Sequence, residues 1–254
     1  MPRTTVVKIG GSTLGSEDTT LQDIVAMHRA GDCPVIVHGG GAMITDWLRR
    51  LDIPSQFVDG LRSTNAEAID VVVGVLRGVV NTQLVGQIVA LGGRAVGLCG
   101  VDCGLVTAER YDGRLGFVGR VTGVDAEVLR GLLDSGIIPV IAPIGLEPPS
   151  QPLNINADTV AGEVARALRA DSLVFLTDVE GLLDGQGALV PELDRSRAAA
   201  LREAGVLAGG MIPKVDACFR AAEAGVAASM ADGTVPGMLR RVASGGRAGT
   251  RIVA

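Results

Sequence analysis

Lysine is nearly missing from this chain of 254 residues. Of its 23 cationic side chains, all but Lys8 and Lys214 are arginine. Histidine is as scarce, with only His28 and His38, and aromatic residues make up 2%. So few aromatics exclude the base-stacking platforms of single-strand binders. A net charge of −5 excludes the basic field that a nucleic-acid backbone requires. The apolar runs, such as 136–143, are short and broken by Pro or Gly, which reads as buried strands and not as membrane spans. The first strand-like run starts at about residue 4 with no signal peptide ahead of it, so a cytoplasmic protein is expected. A reducing compartment argues against disulfides among Cys33, Cys99, Cys103 and Cys218. Cys99 and Cys103 lack a second pair and a nearby histidine, which reads them as small apolar residues and not as zinc ligands.

Against this background the two lysines stand out. Arginine is a planar fork, whereas lysine is a compact, hydrated point charge on a flexible stem. Lys8 lies late in the run TTVVKIGG at 4–11, and Lys214 ends AGGMIPK at 208–214. Both have glycines beside them, which let a ligand approach the backbone. Two ammonium groups at such junctions point toward a phosphate.

Apolar runs of four to seven residues alternate with amphipathic segments, the pattern of a parallel sheet covered by helices on both faces. Strands are expected near 4–9, 33–38, 94–98, 137–142, 172–176, 227–231 and 250–253. Helices are expected near 19–30, 42–51, 64–77, 81–91, 125–134, 157–168, 194–204 and 213–224, with a further helix starting at Pro236. Residues 57–62 and 105–122 read as β-hairpins. Four prolines between 143 and 152 mark the expected boundary between two lobes, about 1–148 and 149–254, of one domain.

Ligands of such sheets bind beyond the carboxyl ends of the strands, where helix N-termini offer free N–H groups. Gly10 and Gly11 after the first strand, and GGG at 39–41 after the second, occupy that position. No P-loop and no protein-kinase loop set is present. Arg62 suits a carboxylate as a bidentate fork, and Asn154 suits an amide or carboxylate. Asp158, close to Asn154 and Asn156, can orient both lysines. It can equally cap the helix at 157–168, a task open to Asn156 as well.

Taken together, VKIGG at 7–11, VHGGG at 37–41, GLR at 60–62, NINAD at 154–158, LTDVEG at 176–181, GGMIPK at 209–214 and GTRI at 249–252 resemble the amino acid kinase family. They run in that family's order across nearly the whole chain. The resemblance implies a three-layer αβα sandwich around a mainly parallel open sheet. It implies an N-terminal lobe for an acyl-amino acid and a C-terminal lobe for ATP. The implied reaction moves the ATP γ-phosphoryl to the γ-carboxylate of N-acetyl-L-glutamate, an arginine-biosynthetic step, with Mg²⁺ carried by the nucleotide phosphates and no metal held by the protein itself. By the same carry-over Lys8 and Lys214 stabilise the transition state and Asp158 holds both lysines. Gly10 and Gly11 bind the phosphoryl group, and Gly40, Gly41, Arg62 and Asn154 bind the acceptor substrate. Thr177, Asp178, Gly181, Leu182, Gly209, Gly210 and Met211 shape the nucleotide pocket. The alternatives left open are a sister kinase acting on carrier-linked α-aminoadipate and a non-catalytic ligand-sensing domain of the same fold. Only about three residues precede the first strand, which leads to the expectation of an arginine-insensitive homodimer paired through a helix such as 64–77. No nucleic-acid or membrane partner is expected.

Overall fold

The computed structural model describes residues 2–10, 19–58 and 60–253. The chain begins β1 (Thr4–Ile9), α1 (Thr20–Arg29), β2 (Cys33–His38) and α2 (Gly41–Arg50). A short hairpin, β3 (Phe57–Val58) and β4 (Leu61–Arg62), leads into α3 (Ala66–Val73), a wide π-helical stretch over Gly74–Val80, and α4 (Asn81–Ala90). Then come β5 (Ala95–Cys99), β6 (Val106–Arg110), β7 (Gly119–Val124), α5 (Ala126–Asp134), β8 (Ile138–Ala142), β9 (Ile144–Glu147) and β10 (Gln151–Asn154). The rest is α6 (Ala157–Leu168), β11 (Ser172–Thr177), β12 (Glu192–Leu193), α7 (Arg195–Glu203), α8 (Met211–Glu223), β13 (Ala227–Asp232), α9 (Met238–Ala243) and β14 (Thr250–Ile252).

Eight strands form the main sheet in the order β12-β14-β13-β11-β1-β2-β8-β5, parallel except for the β13–β14 pair. β1 lies in the interior, with β2 on one side and β11 on the other. Chain connections diverge to either side of β1, and a sheet of this kind opens a crevice at that divergence.

Successive strand residues face opposite ways, and the core divides accordingly. Val6, Val35, Val37, Leu173 and Phe175 pack into one apolar layer with residues of α5, α6 and α8. Val7, Ile9, Ile36, Val174 and Leu176 pack into the other with α1, α2, α4 and α9. This is the expected three-layer sandwich.

The structure adds elements that the sequence pattern did not disclose. The proline-rich stretch expected as a lobe boundary carries the β9–β10 hairpin, which joins β6 and β7 in a second, four-stranded sheet. Prolines read as a break because they remove ladder donors, yet Pro152 sits within β10. The two helices expected at 64–77 and 81–91 run together as one helical rod over Ala66–Ala90. That rod is the one helix among the described residues that is long and apolar enough to cross a membrane by length and composition. Its buried side chains, among them Val72, Leu76, Leu84 and Ile88, instead belong to the second core layer.

Ile36 has no exposed surface on β2. Ile36→Ala is expected to lower unfolding free energy by about 2–5 kcal/mol, read as a shifted denaturant midpoint at unchanged slope.

Candidate active site

Lys8 shares its face of β1 with Val6, so its side chain leaves the sheet toward the α6 and α8 layer. Asp158 meets it there from the first turn of α6. The competing task of capping α6 falls to Asn156, whose side chain accepts from the Thr159 N–H at 3.0 Å. Both oxygens of Asp158 are therefore left for cations. Lys8 Nζ lies 2.8 Å from Oδ1, an ion pair off the hydrogen-bond direction, and Lys214 Nζ donates to Oδ2 at 2.9 Å. Lys214 comes from the first turn of α8, with its ammonium 5.7 Å from the centre of the Phe175 ring.

Close packing of α6 on α8 makes this convergence possible. A Cβ at Gly162, one turn after Asp158, would lie 3.0 Å from Cβ and 3.1 Å from the backbone oxygen of Ala217. Any larger side chain there would push the two helices apart and draw Lys214 away from Asp158.

The cluster is desolvated. Burial lowers the Lys8 pKa, with the neighbouring Lys214 adding to the effect and the Asp158 carboxylate opposing it. Burial by itself raises the Asp158 pKa, but the two ammonium groups outweigh it and hold the carboxyl below the ordinary carboxylate range.

A cavity of about 200 Å³ opens beside Lys8 and Asp158 and is lined also by Gly40, Gly41, Arg62 and Asn154. Three stretches far apart in sequence, carrying Lys8, Arg62, and Asn154 with Asp158, thus face one space. Arg62 is buried, with its guanidinium 4.5 Å from the centre of the Phe57 ring. It donates to the Gly41 carbonyl at 3.0 Å and to Thr45 Oγ1 at 2.7 Å, and also to Ser55 Oγ. All of these acceptors are neutral, and among the described residues no carboxylate pairs with it. Asn154, which also lines the cavity, donates from Nδ2 to Thr64 Oγ1 at 3.0 Å. Three cations against one carboxylate make the site a receptor for anions.

The second glycine turn is placed by both of its neighbours. The Gly39 N–H donates to the Ile9 carbonyl at 3.1 Å, and Gly40 packs so closely that a Cβ would lie 2.6 Å from Leu76 Cδ2. A Cβ at Gly41 would meet nothing within 4 Å, so the backbone there is open to a ligand. Gly10 follows β1 directly. Gly11 lies outside the described residues.

The residues expected around a nucleotide lie at the carboxyl end of β11 and the start of α8, and none of them lines this cavity. Thr177 is buried, donating to the Val179 carbonyl at 2.8 Å, and Asp178 is exposed. Gly181 is held against Thr250, whose Oγ1 accepts from the Leu182 N–H at 2.8 Å. Gly209 and Gly210 lead into the first turn of α8 at Met211, with Gly209 at a positive φ of 55°.

Sequence reasoning passed over His38 and Asn81. Both are fully buried directly behind the glycine turn, and nothing in the sequence assigned His38 a role beyond its scarcity and its place in VHGGG. The Cys99–Cys103 stretch has a structural explanation. Asp102 accepts from the Cys99 N–H at 2.6 Å, Cys99 is buried and Cys103 is exposed at a positive φ of 54°. The turn serves its aspartate, and among the described residues no three His, Cys, Asp or Glu side chains converge as a metal site.

An open α/β sheet that brings two lysines onto one carboxylate, beside glycine turns at its strand ends, is the frame of a phosphoryl-transfer enzyme. Residues 3–230 match the amino acid kinase family, and the chain belongs to that family of kinases. An acetylglutamate kinase of Dehalococcoides mccartyi is 39% identical over 98% of this chain and 93% of its own length. Another, from Synechococcus sp. strain RCC307, is 48% identical over 92% and 82%. A crystal structure from Streptococcus mutans UA159 superposes with a TM-score of 0.87 at 30% identity, covering 99% of this chain and 98% of that one.

Because Asp158 is a stronger acid in the fold than in the unfolded chain, its stabilisation is complete above the unfolded value near 4. It is lost as pH falls through the folded value. Asp158→Asn is expected to cost about 3–5 kcal/mol at pH 7, since it strands two buried ammonium groups. The difference from the unaltered protein should shrink below about pH 4, as followed by urea unfolding from pH 7 to 3.

Proposed function

We propose that the chain transfers the γ-phosphoryl group of ATP to the γ-carboxylate of N-acetyl-L-glutamate, giving N-acetyl-L-glutamyl 5-phosphate and ADP. The observation that carries this reading is the single cavity shared by Lys8, Gly40, Gly41, Arg62, Asn154 and Asp158, together with close relatives that are acetylglutamate kinases.

A carboxylate is already a nucleophile, so the site requires no general base. One acceptor oxygen forms a bond to the γ-phosphorus as the bond to the bridging oxygen of ADP breaks. What remains is positioning and the neutralisation of charge on the phosphoryl oxygens. In this reading Lys8 meets the transferring group and Lys214 the leaving side, and Asp158 keeps the two ammonium groups apart and aimed. Gly10, Gly11, Gly40 and Gly41 supply N–H donors. Arg62 pairs with the α-carboxylate and Asn154 holds the acetylamino group.

Thr177, Asp178, Gly181, Leu182, Gly209, Gly210 and Met211 frame the nucleotide at the ends of β11 and α8. Mg²⁺ on the nucleotide phosphates supplies further charge neutralisation. Asp158 is occupied by both lysines, so the donor set here suits a metal held by phosphate oxygens and water. The acceptor-binding half, about 1–148, and the nucleotide-binding half, about 149–254, share one sheet. We further propose that the enzyme is a cytoplasmic homodimer joined through the helix that begins with α3, near residues 64–77, whose Val71 and Val73 are half-buried.

Hydroxylamine trapping of acyl phosphate tests the proposal, with N-acetyl-L-glutamate compared to glutamate, aspartate and N-acetyl-aminoadipate. Turnover confined to acetylglutamate is expected; turnover on none of the four overturns the assignment and points to a carrier-bound acceptor. Lys8→Arg is expected to lower kcat on the order of 100- to 1,000-fold, the effect of losing one transition-state donor, with the circular dichroism spectrum unchanged.

A further inference from the structure

Behind the glycine turn runs a buried polar chain that the proposed reaction does not use directly. Asn81, the first residue of α4, donates from Nδ2 to the Val140 carbonyl at 2.9 Å. Its Oδ1 accepts from Arg77 Nη1 at 3.3 Å. These two contacts fix which way the amide points, since a flipped amide would set oxygen against oxygen and donor against donor. The second Nδ2 hydrogen then faces His38 Nε2 at 3.0 Å, so that nitrogen must accept. The ring proton is therefore on Nδ1, which donates to the Gly39 carbonyl at 2.8 Å.

The arrangement is closed at both ends. Arg77 extends to Asp102, 3.6 Å away, and Gly97 makes room for the amide, because a Cβ there would lie 1.8 Å from Asn81 Oδ1. The charged groups that act on His38 are Arg77 from the helical rod, beside the Asn81 amide, and Lys8, which leaves β1 on the other face of the sheet. Both add to burial in holding the ring neutral, down to about pH 4.

We propose that Asn81 is a positioning residue for phosphoryl transfer. By fixing the tautomer of His38 it holds the Gly39 carbonyl back, and so fixes the N–H of Gly40, which belongs to the same peptide unit, where the reacting end of the acceptor meets the phosphoryl group. This rests on the function proposed above, and the sign of its effect is set by the ring.

Asn81→Asp supplies only acceptors. His38 must then carry its proton on Nε2, and Nδ1 turns a lone pair on the Gly39 oxygen. The Gly40 N–H loses its aim, and kcat at pH 8 should drop on the order of 100-fold, the effect of about 1 Å of misplacement. The KM for acetylglutamate should change less than kcat, because Arg62 and Asn154, which hold the acceptor away from its reacting end, are untouched. The new carboxylate raises the His38 pKa. As pH falls toward 6 the ring gains its second proton, Nδ1–H returns to the Gly39 carbonyl, and the deficit should narrow to on the order of 10-fold or less.

A folded Asn81→Asp enzyme with kcat near that of the unaltered enzyme overturns the proposal. So does a deficit that does not change with pH, which would mark a structural role alone. Should the variant fail to fold, the unaltered protein decides. Its two histidines are separated in nitrogen-15 spectra by a His28→Gln control, and His38 should show the neutral Nδ1–H form at pH 6. The Nε2–H form there overturns the proposal. If the unaltered enzyme turns over no acylamino acid, the functional assignment fails, and the ring spectrum still decides how Asn81 holds His38.

Discussion

Everything at the centre of this molecule depends on one carboxylate shared by two ammonium groups. Asp158, Lys8 and Lys214 are at least half withdrawn from water, where an unmatched charge is costly. The carboxylate makes two lysines tolerable at a distance that their mutual repulsion would forbid. It leaves the cluster with a surplus of positive charge in a medium where such charge acts strongly. Helices α6 and α8 can supply the partners only because Gly162 lets their backbones approach. A glycine in the middle of a helix, weak by propensity, is thus the condition for the electrostatics.

The same logic extends across the cavity. Arg62 is wrapped in neutral oxygens and an aromatic face, so its charge is positioned without being cancelled. The glycine turn after β2 is held from behind by a neutral histidine, which keeps another cation out of an already positive site. Each device sorts charge. Of the cations that face the cavity, Arg62 meets no carboxylate among the described residues and Lys8 shares its one carboxylate with Lys214, while the groups behind them are neutral or paired.

The strands, the helices on both faces and the glycine turns at strand ends were legible because period-2 and period-3.6 patterns and glycine spacing are local. Lys8 and Lys214 could be singled out by scarcity, and Arg62, Asn154 and Asp158 by residue type and motif. The choice between Asn156 and Asp158 as the cap of α6 was not legible, since both have the chemistry and only three-dimensional contact decides. The β9–β10 hairpin was hidden because prolines read as a break. Asn81 was invisible for a different reason: it is an ordinary polar residue in an apolar helix, and its partners come from β2 and β8. Distance in sequence is what concealed it.

The wide turn at Gly74–Val80 has a consequence for how this chain can vary over time. Asn81 and Leu76 meet the glycine turn only in the present phase of the rod, and each residue of a regular helix advances that phase by about 100°. Loss or gain of one residue ahead of Asn81 would swing it off His38 while leaving a helix behind. Substitutions on the exposed side of this rod are open to drift, but its length between Leu76 and Asn81 is not. Lineages that change it must rebuild the turn on which Gly40 rests.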